Sequence, residues 1–231
     1  MTEDTNTVAF RESLLALGSE VRELRKARQM TLAALARASG VSVSHLSAIE
    51  RGTVNPSLDK VSKIAAGLGV PEAWFFTRRS GAGPMERAYV VRQGNRRNLN
   101  LLYGETVEQS GYADALLSSS IGGSFYMGIS DYPPNSDQVV DHLYERDGEH
   151  HGFVLEGELE LYLVDETITL RGGDSYSFPG HLLHRVRNAG DKPAKLIWVN
   201  APVIIPKYAA LKPVRRSTKS GTRPARKQSG T

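Results

Sequence analysis

A chain of 231 residues with 29 basic and 25 acidic side chains and no cysteine excludes a disulfide framework, a thiolate metal centre and a cysteine nucleophile. No apolar run approaches membrane-spanning length, and the start, MTEDTNTVAF, lacks the basic and apolar regions of a signal peptide; a cytoplasmic protein with no membrane partner is expected. The formal charge of +4 is unevenly placed: from Arg11 to Arg79 eleven basic residues face six acidic ones, and Leu211–Thr231 holds seven basic residues and no acid.

In chain order, Leu14, Leu17, Val21 and Leu24 share one face of an amphipathic helix over Arg11–Arg28. Thr31 is the expected N-cap of a second helix carrying Leu32, Leu35 and Ala36. Gly40 then permits a tight turn, and Ser42 caps a third helix. On that third helix Leu46 and Ile49 point one way, while Ser44, Ser47, Ala48 and Arg51 line the opposite face at helical spacing. Small hydroxyls with one arginine let a helix axis approach base edges and phosphates, as a DNA reader requires. A merely solvated face would have the same composition. Ser57 opens a fourth helix with Leu58, Val61, Ile64, Ala65 and Leu68, and Pro71 a short fifth segment ending in Trp74-Phe75-Phe76.

Over roughly Ser13–Phe76 this segment resembles the lambda-repressor-like helix-turn-helix, or Xre, family. The likeness rests on Leu24-Arg25, Leu32-x-x-Leu35-Ala36, Gly40-Val41-Ser42, Leu46-Ser47-x-Ile49-Glu50-Arg51-Gly52 and Asn55-Pro56-Ser57. The resemblance implies an ion pair between Arg25 and Glu50 tying helix one to the recognition helix, in place of two separate solvated charges. It also implies base contacts from Val43, Ser44 and Ala48 and phosphate contacts from Thr31 and Arg51. The candidate DNA-binding set is therefore Thr31, Ser42, Val43, Ser44, Ser47, Ala48 and Arg51.

Residues 77–98, rich in Arg and Gly, read as a linker with one short strand over Ala88–Arg92. Beyond it, turns separate short apolar or alternating runs at Ser124–Ser130, Gln138–Tyr144, His151–Leu155, Glu158–Val164, Thr167–Leu170, Ser175–Phe178, His184–Arg187 and Lys195–Val199. Strands spaced in this way indicate a sandwich or jelly-roll barrel. The run Phe153-Val154-Leu155-Glu156-Gly157-Glu158, then Gly173-Asp174-Ser175, Pro179, His184 and Asn188, is similar to the two motifs of the cupin family over about Leu99–Pro206. Together with the preceding segment the chain looks like the two-domain Xre–cupin regulators.

The resemblance also locates a departure. Where metal-binding cupins place a glutamate and two histidines in the first motif, this chain has His150, Arg146 and Tyr144. Arginine cannot ligate a cation and its charge repels one. His150 and His184 remain as weak metal candidates, with His142, Glu149 or His151 needing to be re-aimed; alternatively they are hydrogen-bonded pocket histidines. No resident cofactor is expected. If Val139–Arg146 is a strand, His142, Tyr144 and Arg146 alternate onto the interior face. Arg146 can then grip a carboxylate, or else pair with Asp147 or Glu149. The candidate effector-binding set is His142, Tyr144, Arg146, His150 and His184.

The expected architecture is multidomain, α plus all-β: a five-helix helix-turn-helix domain (11–76), a linker (77–98), a cupin β-barrel of jelly-roll type for sensing and dimerisation (99–206), and a basic disordered tail (207–231). The tail either adds sequence-independent phosphate affinity or is simply solvated. The function implied is a non-enzymatic, sequence-specific regulator of transcription. Its partners would be a double-stranded operator, a small effector of anionic character and a second copy of the chain. Two other readings stand beside it: a cupin mononuclear-iron oxygenase or epoxidase carrying a helix-turn-helix-like domain, which would need ligands this chain lacks, and a scaffold protein that no longer touches DNA.

Overall fold

The computed structural model describes residues 5–76, 84–136 and 143–205. Helix α1 (Thr5–Ala27) starts six residues before the expected Arg11. It is followed by α2 (Leu32–Ser39), α3 (Val43–Glu50), α4 (Leu58–Leu68) and a 3-10 turn at Glu72–Phe76. Thr31 Oγ1 accepts from the Ala34 amide at 3.0 Å and caps α2. Gly40, at φ 68°, ends α2 in the left-handed conformation that only glycine adopts without strain. The chain thus bends by 112° between α2 and α3, within the range of a helix-turn-helix. Val21, Leu24, Leu35, Leu46, Ile49, Ile64, Leu68 and Trp74 are buried at the centre of this bundle. Leu58, assigned to the apolar face from its spacing, is instead 71% exposed; one turn of α4 runs past the edge of the core.

Residues 77–83 lie outside the described set. The expected strand at Ala88–Arg92 is not formed: Pro84–Tyr89 is a short helix (α5) and Gln93–Asn95 a 3-10 turn. Proline at a first helical position presets the backbone angle for a helical turn, and no neighbouring strand pairs with this segment among the described residues. Two further short helices follow, α6 (Leu99–Tyr103) and α7 (Val107–Ser110), the latter closed by a capping box between Thr106 and Gln109.

The strands form two antiparallel sheets. One has the order β1 (Ala113–Leu116), β2 (Tyr126–Tyr132), β8 (Ala194–Ala201), β3 (Glu149–Glu156), β6 (Ser175–Pro179); the other β5 (Glu166–Arg171), β4 (Glu158–Leu163), β7 (His184–Arg187). Strand β8 alternates buried and half-buried residues throughout, so Leu196, Trp198 and Asn200 share the interior face. Gly128 of β2 and Gly152 of β3 each leave room for a ring, Trp198 and Tyr176 respectively, where a Cβ would lie within 2.3 Å of ring atoms. Of the strand expected at Gln138–Tyr144, residues 138–142 fall outside the described set, and Tyr144 makes a single antiparallel bridge to His184. Residues 206–231, including the basic tail, also lie outside it.

The helical bundle and the sheets share a polar interface. Arg97 donates to both carboxylate oxygens of Glu20 on α1, at 2.8 and 2.5 Å, and its guanidinium lies 5.1 Å over the Trp74 ring. Arg28, just past α1, donates to the carbonyls of Leu102 at 2.6 Å and Ile205 at 3.1 Å. The Ile205 amide in turn donates to Ala27.

Candidate functional site: an exposed helix face and a buried polar cavity

The two sides of α3 have different surroundings. Leu46 and Ile49 are buried. Glu50, at the end of the helix, accepts two hydrogen bonds from Arg25 of α1, at 2.7 and 2.8 Å, and Arg25 also donates to the Met30 carbonyl. The side chains of the pair are only 12% and 6% exposed, so the ion pair expected between helix one and the recognition helix forms. Gly18 completes the contact: a Cβ there would stand 2.3 Å from the Ile49 carbonyl oxygen, so only glycine lets α1 cross the end of α3 this closely.

The opposite side is open. Ser42, Val43, Ser44 and Arg51 are exposed and Ser47 and Ala48 half-buried. Ser42 caps α3 through the His45 amide and lies 3.3 Å from the Ser44 hydroxyl. Arg51 donates to Ser47 Oγ. The structure thus brings together the hydroxyls, the exposed Val43 and the single arginine on one helix, with Thr31 at the start of the preceding helix. What this surface offers is hydrogen-bonding groups on short side chains, one apolar contact and one exposed cation.

The second site is a cavity of about 60 Å³ between the sheets, reached by residues of β1, β2, β3, β7 and β8. Tyr144, Arg146, His150 and His184 all line it; His142 lies outside the described residues. The Arg146 guanidinium donates to Tyr126 Oη at 3.1 Å and sits 5.5 Å over the Tyr103 ring, while its Nε is shielded from solvent and makes no hydrogen bond. Neither Asp147 nor Glu149 pairs with it; Glu149 is held by His151 at 3.1 Å.

His150 and His184 meet at 5.1 Å between ring centroids. His150 has both nitrogens engaged, Nδ1 with Asn200 Oδ1 and Nε2 with Tyr176 Oη, and it stacks on Tyr176. His184 Nδ1 donates to the Leu182 carbonyl at 2.7 Å. Burial, then the neighbouring His184 and Arg146, hold His150 down to about 3; burial and Arg146 hold His184 down to about 4. Both are therefore neutral at physiological pH.

Sequence reasoning missed two charged residues of the cavity wall, Arg185 on β7 and Asp114 on β1. Asp114 Oδ1 accepts from Ser130 Oγ at 2.9 Å and from Trp198 Nε1 at 3.0 Å, and the Asp114 backbone amide donates to Asn100. Burial pushes this carboxyl up to about 7 against those hydrogen bonds and the pull of Arg146. Strand β1 is too short to show alternation, so Asp114 gave no signal. Ser130 and Trp198 fall on expected strands, whereas Asn200 lies just past the expected Lys195–Val199 and is reached because the observed strand runs on to Ala201.

Residues 21–75 match the Helix-turn-helix family and residues 128–200 the Cupin domain family. The chain thus joins a helix-turn-helix domain of the Xre type to a cupin domain. It is 26% identical over 181 residues to the HTH-type transcriptional regulator SutR of Escherichia coli, covering 76% of this chain and 89% of that protein. It is also 24% identical over 188 residues to the HTH-type transcriptional regulator PuuR of the same organism, covering 81% and 96%. Among solved structures, hydroxypropylphosphonic acid epoxidase from S. wedmorenis aligns over 81% of this chain and 97% of that one at 23% identity and a TM-score of 0.40, a likeness of shape too low to bear on chemistry.

Proposed function

We propose that this protein is a sequence-specific DNA-binding regulator of transcription whose cupin domain binds a small effector, and that it acts in the cytoplasm as a homodimer. The observation that carries the reading is α3: an exposed face of short polar side chains, fixed to α1 by the buried Arg25–Glu50 pair. Regulators similar over most of their length to this chain support it. In this reading Val43, Ser44, Ser47 and Ala48 face base edges, with Val43 placed to touch a thymine methyl, and Thr31, Ser42 and Arg51 position the helix on phosphates. A single helix reads too few base pairs for regulatory specificity, and two half-sites one turn apart are the usual solution.

Helix α1 would carry the signal. Tyr103 lines the cavity under Arg146, the Leu102 carbonyl beside it is held by Arg28, and Arg25 one turn earlier holds Glu50 of α3. A ligand gripping Arg146 can bias the helices only by binding their two arrangements unequally, and a typical coupling would change operator affinity about 5- to 150-fold.

An iron oxygenase is disfavoured by the donor set. Arg146 stands where a ligand is needed, and both nitrogens of His150 are already used within the protein. Selection of genomic fragments by purified protein, with elemental analysis of the same preparation, tests the reading. Enrichment of one site built from two related half-sites, with metal well below one per chain, is expected. Retention of random fragments alone, or one tightly held metal per chain, would overturn it.

A further inference from the structure

Three charged side chains line the cavity: Arg185, which has a partner of its own, and Arg146 and Asp114, which are of opposite sign and form no ion pair with each other. Arg146 spends one donor on a tyrosine hydroxyl, rests its guanidinium on Tyr103 and leaves Nε shielded and unbonded, with no carboxylate paired to it among the described residues. Asp114, 4% exposed, accepts from Ser130 and Trp198 on Oδ1 and from the Ala115 amide, and has no cation paired to it among the described residues. Uncompensated charges in such surroundings are costly. The two histidines of the wall, His150 and His184, are neutral.

This arrangement discriminates among ligands by charge. A diamine would meet Arg146, and a dicarboxylate would meet Asp114. A simple carboxylate satisfies Arg146 but leaves Asp114 unpaired or forces it to take up a proton. A molecule with both an ammonium and a carboxylate pairs Arg146 and Asp114 once each and adds no net charge to the site. The volume of about 60 Å³ suits a small molecule of this kind.

We infer that the cavity ligand is a small zwitterionic amino acid, of the size of glycine, alanine or β-alanine, bound with its carboxylate on Arg146 and its ammonium on Asp114. This rests on the effector reading above and names the chemical class of that effector. Asp114 is then the specificity-determining residue, separating amino acids from the plain carboxylates that Arg146 alone would accept. Tyr112, Tyr132 and Tyr144 also line the space and supply aromatic walls around both charges.

Titration calorimetry on the full-length protein at pH 7 with glycine, alanine, β-alanine, acetate, propionate and methylamine tests this, run in two buffers of different ionisation enthalpy. At least one amino acid is expected to bind about tenfold or more tighter than every one-charge probe, a difference typical of one buried charge-assisted contact. Amino-acid binding should release protons, because an ammonium favours ionised Asp114, whereas acetate binding should take them up. Asp114→Asn keeps the side-chain shape and should bring amino-acid affinity down to that of the carboxylates. Arg146→Lys should weaken amino acids and carboxylates alike. Near-ultraviolet circular dichroism of Trp198, which touches Asp114, reports whether each variant keeps its core. Carboxylates binding as tightly as amino acids, or a folded Asp114→Asn variant with unchanged amino-acid affinity, would refute the zwitterion while leaving an anionic effector in place. Failure of all six probes to bind would also refute it, and the fragment selection then judges the regulator reading independently.

Discussion

Arg51 ends α3 with its guanidinium on the Ser47 hydroxyl, exposed and without an acidic partner among the described residues. In the proposed mode of binding, a cation so placed would contribute to DNA affinity by displacing counterions rather than by reading bases. Arg51→Ala should therefore weaken binding to a selected operator and to random DNA together, and lower the slope of log affinity against log salt by about one. Ser44→Ala, which removes a hydroxyl at the start of the helix, should instead change preference at about one or two base pairs with the salt slope intact. Salt titrations of wild type and both variants separate these effects; identical slopes for wild type and Arg51→Ala would take Arg51 off the phosphates.

Helix α1 does more than fill the core of the small bundle. Along its length Gly18 admits the end of α3, Glu20 holds Arg97, Arg25 holds Glu50, and Arg28 just beyond it holds the carbonyls of Leu102 and Ile205. One helix thus touches both α3 and, through Arg28, α6, whose Tyr103 lines the cavity. Glu50→Ala strips Arg25 of its partner in a site where both side chains are nearly sealed, and leaving such a charge unpaired costs about 3 kcal/mol. Urea unfolding should show that loss, and DNA affinity should fall with it because α3 loses its tether. An unchanged unfolding midpoint would mean that water already compensates Arg25.

At the scale of the molecule the buried titratable groups oppose one another. His150 and His184 stay neutral in the fold down to about 3 and 4, from a usual 6.5. As pH falls below about 6.5 the unfolded chain takes up two protons that the folded chain refuses, and stability falls. Asp114 acts in the other sense: its folded carboxyl keeps its proton up to about 7 instead of 3.8, so its contribution is full below the lower value and lost as pH rises through the upper one. Between pH about 4.5 and 5.5 these three groups together give a net slope of about one proton, or about 1.4 kcal/mol per pH unit. Asp114→Asn removes the opposing proton and should steepen the acid-side fall in stability by about that amount. Urea unfolding of wild type and variant across this range measures it; parallel pH profiles would show that Asp114 is ionised in the fold.

The amino-acid sequence by itself determined the helical domain almost completely. Thr31, Gly40 and Ser42 act through their own backbone, and the period of Leu35, Leu46 and Ile49 marks the core, so local rules suffice there. Spacing also located most strands, and the resemblance to cupins located the motif positions of Arg146, His150 and His184. The segment before the sheets was misread, because the helix begun by Pro84 carries no apolar period long enough to distinguish it from a strand. What only the tertiary structure decided is who meets whom across the fold. Asp114 of β1, Tyr103 of α6 and Arg146 share one cavity although they lie on separate segments of the chain, and Arg97, which reads as one of several linker arginines, becomes a buried partner of Glu20. Charge pairing and burial depend on distance in space, and no local periodicity encodes it.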